Sequence, residues 1–495
     1  MSLHKKSSTQ VFLVGAGPGD PQLFTLKMVQ VLSQADVVLY DYLVHPNFRQ
    51  YCHKNTTLVN VGKKKGHYSA QQSHINQLLK EYVAKEQLVV RLKGGDPLIF
   101  GRGGEEMEFL QKNNITYEIV PGLSSTLTVP AYSGISLTHR DYSRSIAVVT
   151  GTIQTGELIA EKEYPQADTL IFLMAMTHLT ELAKRLQSHS RFSAFTPAMV
   201  IQEGTLATQR EVCGTLETIA TLVNEAQISH PALLVVGDVV GESTVLAWRD
   251  QLPLNKKRIW VCRAKHQQQA LSNQLSLLGA EVIQAPLIKV EPLKTAWLKI
   301  DNATLNKATM ILLTSYNAVK QFLAAVLESG LDIRNLAGKQ IGVVGQKTAQ
   351  ALNSYGIIAD IVASSENADG LLAALPQAMT GHHVLLPQGR QAAGTIYDGL
   401  VQKGATVTSV TLYDTVQIPA SKENKLQDYD IVILMSGTQM TSFFKHVYHN
   451  EKIHCIVPSQ ALEEQIRAAV NYKGTIQCAK STHEDDLIEA IMQLK

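Results

Sequence analysis

Residues 89–106 read VVRLKGGDPLIFGRGGEE. The run Leu88-Val89-Val90 ends in Arg91-Leu92-Lys93 and breaks at Gly94-Gly95-Asp96-Pro97. This pattern predicts a buried strand closed by a tight turn, since glycines can take positive φ and Pro97 cannot continue a hydrogen-bonded ladder. In an open α/β sheet, ligands sit outside the carboxyl ends of strands, which is where this turn falls. A second cluster, Gly101-Arg102-Gly103-Gly104, leads into EEMEFLQKN, a helix with acids in its first turn. Five glycines within eleven residues leave main-chain N–H and C=O groups bare, as a site requires where a ligand touches the backbone.

Upstream, residues 11–41 (VFLVGAGPGDPQLFTLKMVQVLSQADVVLYD) have the grammar strand, glycine turn, helix, strand. Leu26, Val29 and Leu32 form the expected inner face of a helix over 25–34. A dinucleotide-binding fold would place Asp41 on a ribose, but the spacing opposes it. A G-x-G-x-x-G fingerprint starting at Gly15 needs glycine at position 20, where the chain has Asp20. An acid there repels a pyrophosphate and suits a cation.

Downstream, VGKKKGHYSAQQSHINQLLKEYVAKEQ (61–87) is a basic loop followed by an amphipathic helix with Ile75, Leu78 and Leu79 inward. Taken alone, the Lys63–Lys65 triplet is a solvated loop. Residues 123–145 are rich in hydroxyls and bring His139, Arg140 and Arg144 close together; alone, they read as an irregular loop with surface arginines. SIAVVTGT (145–152), TLIFLMAM (169–176), PAMVIQEGT (197–205) and PALLVVGDVV (231–240) supply further strands. Two successive α/β lobes follow, with a break within 121–145.

At 495 residues the chain has room for two or more domains. Its 45 basic and 43 acidic residues give +2, so no global field draws nucleic acid or a membrane, and no basic–aromatic stripe marks an RNA surface. Cys52, Cys213, Cys262, Cys455 and Cys478 are scattered without a CxxC pair, which implies reduced thiols and no metal site. The start, MSLHKKSSTQ, is polar, and Val11–Val14 is too short for a signal peptide. No stretch approaches the roughly eighteen apolar residues of a membrane span. A soluble, cytoplasmic protein is expected.

The order GAGPGDPQLFTLK, LYDYLVHP, VGKKKGHYS, VVRLKGGDPLIFGRGGEE, VPGLSS, GISLTHRDYSRS and EGTLATQR resembles the tetrapyrrole methylases, and within them the uroporphyrinogen-III C-methyltransferases. The resemblance implies two α/β lobes with S-adenosylmethionine in the cleft between them, usually in a homodimer formed through this domain. It places the donor on Pro18, Gly94, Gly95, Asp96, Ile99, Ser124, Ser125, Met174 and Gly204. It makes Asp41 a proton acceptor and Lys63 a proton donor. One departure is Leu123-Ser124-Ser125, where the family usually has Ile-Thr followed by Ser or Ala; the hydroxyl is kept. The acceptor, a reduced tetrapyrrole with eight carboxylates, needs a basic rim. Lys63–Lys65, His67, Arg102, His139, Arg140 and Arg144 are the candidates, arginine being favoured for bidentate pairing. Pyrrole carbon is itself nucleophilic, so the protein's task is mostly alignment.

Residues 241–258 (GESTVLAWRDQLPLNKKR) mix charge, Gly and Pro between two apolar patterns and mark a boundary. Beyond it, 258–286 reads strand, loop, helix, strand, and 383–410 repeats that grammar, including Gly-Ala before the second strand. ILLTSYNAVKQFL at 311 is echoed by IVILMSGTQMTSFF at 431. Two similar α/β lobes are expected, each with a hydroxyl-rich turn opening a helix and offering N–H groups to anions.

Through Arg263, PLIKVEP, LLTSYNAVKQF, VVGQKTAQALNSYG and GATVTSVTLYDT, this half resembles uroporphyrinogen-III synthase. The resemblance implies an open two-lobed cleft for hydroxymethylbilane, which loses water, inverts ring D and closes. Arg263, Thr314, Ser315, Asn317, Lys347, Thr348, Tyr413 and Ser436 are the candidate residues, with Tyr413 as acid to the departing hydroxyl. IVPSQALEEQI replaces the family's Gly-x-x-Thr-Ala turn, a loss of hydroxyl and of anion-binding backbone.

The expected α/β architecture is therefore a two-lobed methylase over 10–245, a linker over 246–257, and a synthase-like domain over 258–495. Within the latter, lobe one is 258–290 with 415–495, and lobe two is 293–413. The expected function is bifunctional, from hydroxymethylbilane through uroporphyrinogen III to precorrin-2. Alternatives are a methylase with a degenerate or structural C-terminal half, a methylase of the same fold acting on a later corrinoid or an RNA base, a NAD(P)-dependent protein, and a non-catalytic tetrapyrrole carrier.

Overall fold

The computed structural model describes residues 9–494 apart from 63–71, 154, 161–162, 244–245, 265–267, 419–425, 429, 450–451, 470–471 and 473. Four sheets divide these residues. The first holds β1 (Val11–Gly15), β2 (Val37–Tyr40), β3 (Thr57–Asn60), β4 (Val89–Lys93) and β5 (Tyr117–Val120), in the order β3-β2-β4-β1-β5. Its pairs are all parallel. β1, β2 and β4 are buried along their whole length, as a sheet covered on both faces demands. The order turns back on itself between β4 and β1, so their carboxyl ends, Lys93-Gly94-Gly95 and Gly15-Ala16-Gly17, share the switch-point crevice.

The second sheet is β6 (Ile146–Thr150), β7 (Thr169–Leu173), β8 (Pro197–Gln202), β9 (Arg210–Thr215) and β10 (Ala232–Val236), ordered β6-β7-β10-β8-β9. Only β6 and β7 run parallel. The helix Ser125–Tyr132 joins the two lobes, so part of the stretch read as an irregular loop is helical, capped by the Ser124 hydroxyl. The helix after β1 spans Leu26–Leu32 with Thr25 as N-cap. Its inner face is Met28, Val31 and Leu32; Leu26, expected inward, is 89 % exposed.

The remaining strands are β11 (Arg258–Val261), β12 (Glu281–Gln284), β13 (Ile288–Pro292), β14 (Met310–Leu313), β15 (Gln340–Val343), β16 (Ile361–Val362), β17 (His383–Gly389), β18 (Thr406–Gln417), β19 (Ile431–Ile433), β20 (His454–Val457) and β21 (Thr475–Cys478). They form a parallel sheet β12-β11-β19-β20-β21 and a mixed sheet β13-β18-β17-β14-β15-β16. The antiparallel pair β13–β18 carries the chain out of one lobe and back. Residues 288–290 and 415–417, expected in lobe one, thus belong to the sheet of lobe two.

The two halves are docked. Asn47 donates from Nδ2 to the Val282 carbonyl at 2.7 Å and accepts at Oδ1 from the Gln284 N–H at 3.2 Å, pairing with the open edge of β12 as a strand would. The neighbouring Glu281 accepts from the Ala207 N–H at 2.7 Å, and His45 Nε2 lies 3.7 Å from its other oxygen. Linker residues take part: Trp248 Nε1 donates to the Ala131 carbonyl at 2.9 Å, and the Arg249 guanidinium lies over the Tyr132 ring. A cavity of about 240 Å³ at this joint is lined by Asp20, Tyr132, Arg249 and Glu281 among others.

Candidate functional site

Three glycine loops meet at the carboxyl end of the first sheet. Ala16 N–H donates to the Lys93 carbonyl at 2.8 Å, and Gly17 and Gly95 exchange both main-chain hydrogen bonds at 2.7 and 3.1 Å. Gly17 and Gly95 stand at φ +73° and +66°, where an L side chain is strained. A Cβ on Gly122 would fall 2.4 Å from the Gly95 carbonyl oxygen, and one on Gly15 would fall 2.6 Å from Gly122 Cα. The close approach is therefore possible only for glycine. Asp96 ties the loops: Oδ1 accepts from the Leu98 N–H and Oδ2 from the Gly122 N–H. Its carboxylate serves the cradle from within.

The other expected donor-site residues fall on loops and a helix start of the two lobes. Ile99 is 44 % exposed beside the Gly94-Gly95 loop. Ser124 and Ser125 open the inter-lobe helix, offering first-turn N–H groups. Met174 follows β7 at φ +55°, nearly half exposed, and its carbonyl accepts from the Thr152 hydroxyl. Gly204 packs on Val129, and the Thr205 hydroxyl accepts from the Asp20 N–H. Asp20 is engaged with protein groups, accepting from the Gln22 N–H and the Tyr132 hydroxyl at 2.8 Å each. Burial and then Asp20 push the Tyr132 phenol above its ordinary range, so it stays a donor. Bare backbone, glycine turns and a helix start fit a small charged ligand held by main chain.

Behind the cradle is a buried charge network that sequence reading did not assemble. Arg91 is 2 % exposed, and its guanidinium is almost fully engaged. Nε donates to Glu106 at 3.1 Å, Nη1 to the carbonyls of Leu39 and Leu92, and Nη2 to Asp41 at 2.5 Å. Glu106, wholly buried in the first turn of the helix Gly103–Lys112, takes Arg91, Lys93 and Gln72 on one oxygen. Its Oε2 has no hydrogen-bond partner among the described residues. Two cations thus offset two acids. Burial opposes the charge on Arg91, but Asp41 and Glu106 raise its pKa overall; burial and then Arg91 hold Lys93 below its ordinary value. Asp41, just past β2, is the only one of the four with a substantially exposed side chain. The available signal was Arg91 and Lys93 at alternate positions of an apolar strand, one face apart from Leu92, followed by Glu106 in the next helix.

The expected basic rim is only partly in view. Lys63–Lys65 and His67 lie outside the described residues. Arg102, a rim candidate, forms an exposed bidentate pair with Glu105, at 2.8 Å from Nε and 2.5 Å from Nη2. His139, Arg140 and Arg144 do share one loop, pinned by the reciprocal main-chain bonds of His139 and Ser143 and by Arg144 N–H on Asp168. His139 stacks on Tyr142 at 4.7 Å.

In the second half, Ser315 caps the helix Tyr316–Glu328, accepting from the Ala318 N–H, and its hydroxyl lies 3.0 Å from the Tyr413 hydroxyl. Burial raises the Tyr413 pKa. Thr314 and Asn317 flank Ser315, whereas Thr348 is buried within the helix Gln346–Asn353. Ser436 caps the helix Gly437–His446 in the other lobe. Arg263 and Lys347, from different lobes, both reach Thr482 and Glu484. The hydroxyl expected to be lost at 458–460 returns in another form: Ser459 accepts from the Leu462 N–H at the start of the helix Gln460–Ala469. Among the described residues, no group of three His, Cys, Asp or Glu could hold a metal ion, and no helix is long and apolar enough to cross a membrane.

The class defined by this fold and site is a two-lobed α/β domain with a main-chain ligand cradle, joined to a second two-lobed α/β domain whose lobes meet at Arg263, Lys347 and Glu484. Residues 10–220 match the family described as Tetrapyrrole (Corrin/Porphyrin) Methylases, and residues 269–484 match Uroporphyrinogen-III synthase HemD. The chain is 38 % identical over 355 residues to the porphyrin biosynthesis protein HemD of Ruminiclostridium josui, covering 71 % of this chain and 70 % of that one. It is 44 % identical over 241 residues to a Pseudomonas aeruginosa (strain LESB58) siroheme synthase, covering 48 % of this chain and about half, 52 %, of that one. A Thermus thermophilus uroporphyrin-III C-methyl transferase, solved with S-adenyl homocysteine, is 37 % identical, covers 47 % of this chain and 99 % of its own, and superposes with a TM-score of 0.42. The chain belongs to the tetrapyrrole methylases and carries a uroporphyrinogen-III synthase domain behind the methylase. It is an enzyme of tetrapyrrole biosynthesis.

Proposed function

We propose that the first half transfers methyl groups from S-adenosylmethionine to C2 and C7 of uroporphyrinogen III, giving precorrin-2. The second half makes that substrate by cyclising hydroxymethylbilane with inversion of ring D. The observation that carries the first assignment is the glycine cradle of Gly15–Gly17, Gly94-Gly95 and Gly122 placed beside Asp41. Bound S-adenosylmethionine supplies the methyl group. The chain's own groups bind and align: main chain at Pro18, Gly94–Asp96 and Ile99, with Ser124, Ser125, Met174 and Gly204 closing the cleft from the second lobe's side. Asp41 accepts the proton that the methylated ring releases, and Lys63 donates where charge develops. Arg102, His139, Arg140 and Arg144 meet the substrate's carboxylates, Arg102 after exchanging Glu105. In the second half, Tyr413 with Ser315 assists the departing hydroxyl, and Arg263, Lys347 and the capped helix starts hold carboxylates. A cytosolic homodimer formed through the methylase half completes this reading.

Purified protein incubated with hydroxymethylbilane should give uroporphyrinogen III without the donor and a dimethylated product with it. Uroporphyrinogen I in the first tube would mean an inert second half, the alternative favoured by Pro458, which removes one N–H from the turn before Ser459. Asp41→Asn should keep affinity for S-adenosylhomocysteine within about twofold and slow turnover by about 10²–10⁴. Unimpaired turnover would remove Asp41 from the mechanism.

A further inference from the structure

The two lobes of the synthase half meet at one carboxylate. Arg263 follows β11 in the first lobe and Lys347 opens the helix Gln346–Asn353 in the second, yet both reach Thr482–Glu484. Arg263 Nη1 lies 3.1 Å from Glu484 Oε1, and Nη2 donates to the Thr482 carbonyl at 3.0 Å. Lys347 Nζ donates to the same carbonyl at 2.8 Å and lies 3.3 Å from Glu484 Oε2. A guanidinium and an ammonium converging from opposite walls of a cleft are what a ligand carboxylate requires. Here the protein's own carboxylate takes that place.

Glu484 is also equipped to leave. It is the first residue of the helix Glu484–Met492, so after release it still faces that helix's free N–H groups. Burial opposes its charge, but its own main-chain N–H, Lys347 and Arg263 keep it below the ordinary carboxylate range, so it remains a competing anion at neutral pH. Lys347 and Glu484 are both partly solvated, and partly solvated pairs exchange partners at small cost.

We propose that Arg263 and Lys347 form a carboxylate subsite shared by the two lobes, that Glu484 fills it when the cleft is closed, and that one carboxylate of the linear tetrapyrrole displaces Glu484 on entry. This rests on the synthase activity proposed above. The built-in acid makes the subsite selective: only a ligand carrying a well-placed carboxylate competes, and a neutral analogue leaves the cleft latched.

The test is Glu484→Gln in the full-length protein, with two readouts. Synthase kinetics without S-adenosylmethionine should show KM for hydroxymethylbilane falling about three- to fivefold, the factor a partly solvated ion pair carries, while Lys347→Gln raises it. Energy transfer between fluorophores at the exposed positions Leu327 and Lys445, one on each lobe, should report a longer mean distance in Glu484→Gln with no substrate present. Should that variant not fold, Glu484→Asp, one methylene too short to hold both cations, should shift both readouts the same way. An unchanged inter-lobe distance, or a KM that rises as it does in Lys347→Gln, would overturn the subsite and make Glu484 purely structural. Absent turnover in the wild type would instead remove the synthase reading, while the distance measurement would still decide the latch.

Discussion

Glu106→Gln tests the buried network on which the placement of Asp41 depends. The side chain is 0 % exposed, and one of its oxygens takes Arg91, Lys93 and Gln72 at 3.1 Å each. The wild-type cluster sets Arg91 and Lys93 against Glu106 and Asp41, with no net charge. The amide leaves one uncompensated positive charge, and Lys93 has no other ion-pair partner among the described residues. Breaking a buried pair on one side costs about 3–5 kcal/mol. At roughly 2–4 °C per kcal/mol for a domain of this size, the methylase unfolding transition should fall by about 6–20 °C at pH 7 in scanning calorimetry. The variant also has a pH signature. Lys93 already sits below its ordinary 10.5, through burial and then Arg91, and losing Glu106 lowers it further. Between the depressed folded value and 10.5 the unfolded chain binds more protons, so stability rises with pH there. The deficit of Glu106→Gln should therefore be largest near pH 6 and shrink toward pH 10. A variant within about 1 kcal/mol of wild type at pH 7, or a deficit that grows with pH, would refute the reasoning.

Gly122→Ala places a Cβ 2.4 Å from the Gly95 carbonyl oxygen, so the cradle must open; S-adenosylhomocysteine affinity, by titration calorimetry, should fall by about 5- to 150-fold for a strain of about 1–3 kcal/mol. Asp430 is raised from 3.8 to about 6 by burial, against the opposing pull of Arg258, the Gln427 N–H and the Trp260 N–H. A raised carboxyl contributes stability below its unfolded pKa that is lost as pH rises through the folded value, so Asp430→Asn should gain up to about 3 kcal/mol on wild type between pH 3.5 and pH 7 in urea titrations. Asn47→Ala removes both hydrogen bonds to the edge of β12 and should weaken docking of the halves by about 1–3 kcal/mol. Faster proteolysis of the 246–257 segment would report it.

The parts of the site built from main chain were legible, because glycine turns after apolar strands carry their geometry in residue type. Gly15–Gly17, Gly94-Gly95 and Gly122 form one cradle because the sheet order puts β1 between β4 and β5. The parts built from side chains meeting across sequence were not. Arg91 and Glu106 look like a strand end and an acidic first turn until their elements pack, and Tyr413 meets Ser315 only once β18 lies near β14. Leu26 shows the limit of periodicity over two helical turns: as the first residue of the helix it is 89 % exposed, while Met28, Val31 and Leu32 face inward. The Arg102–Glu105 pair, three residues apart, follows from local helix geometry alone.

A linker's composition fixes no orientation between the domains it joins, so the sequence left the two halves free. Their docking comes from an edge strand. β12 ends its sheet with open N–H and C=O groups, which would invite pairing with another chain, and the Asn47 amide supplies one acceptor and one donor in register. Glu281, on the same strand, accepts from the methylase's second lobe through Ala207 while facing His45 of the first. One strand of the synthase half thus touches both lobes of the methylase half. Any movement of the two methylase lobes relative to each other must break one of these contacts or carry the synthase lobe with it, so the halves are mechanically linked.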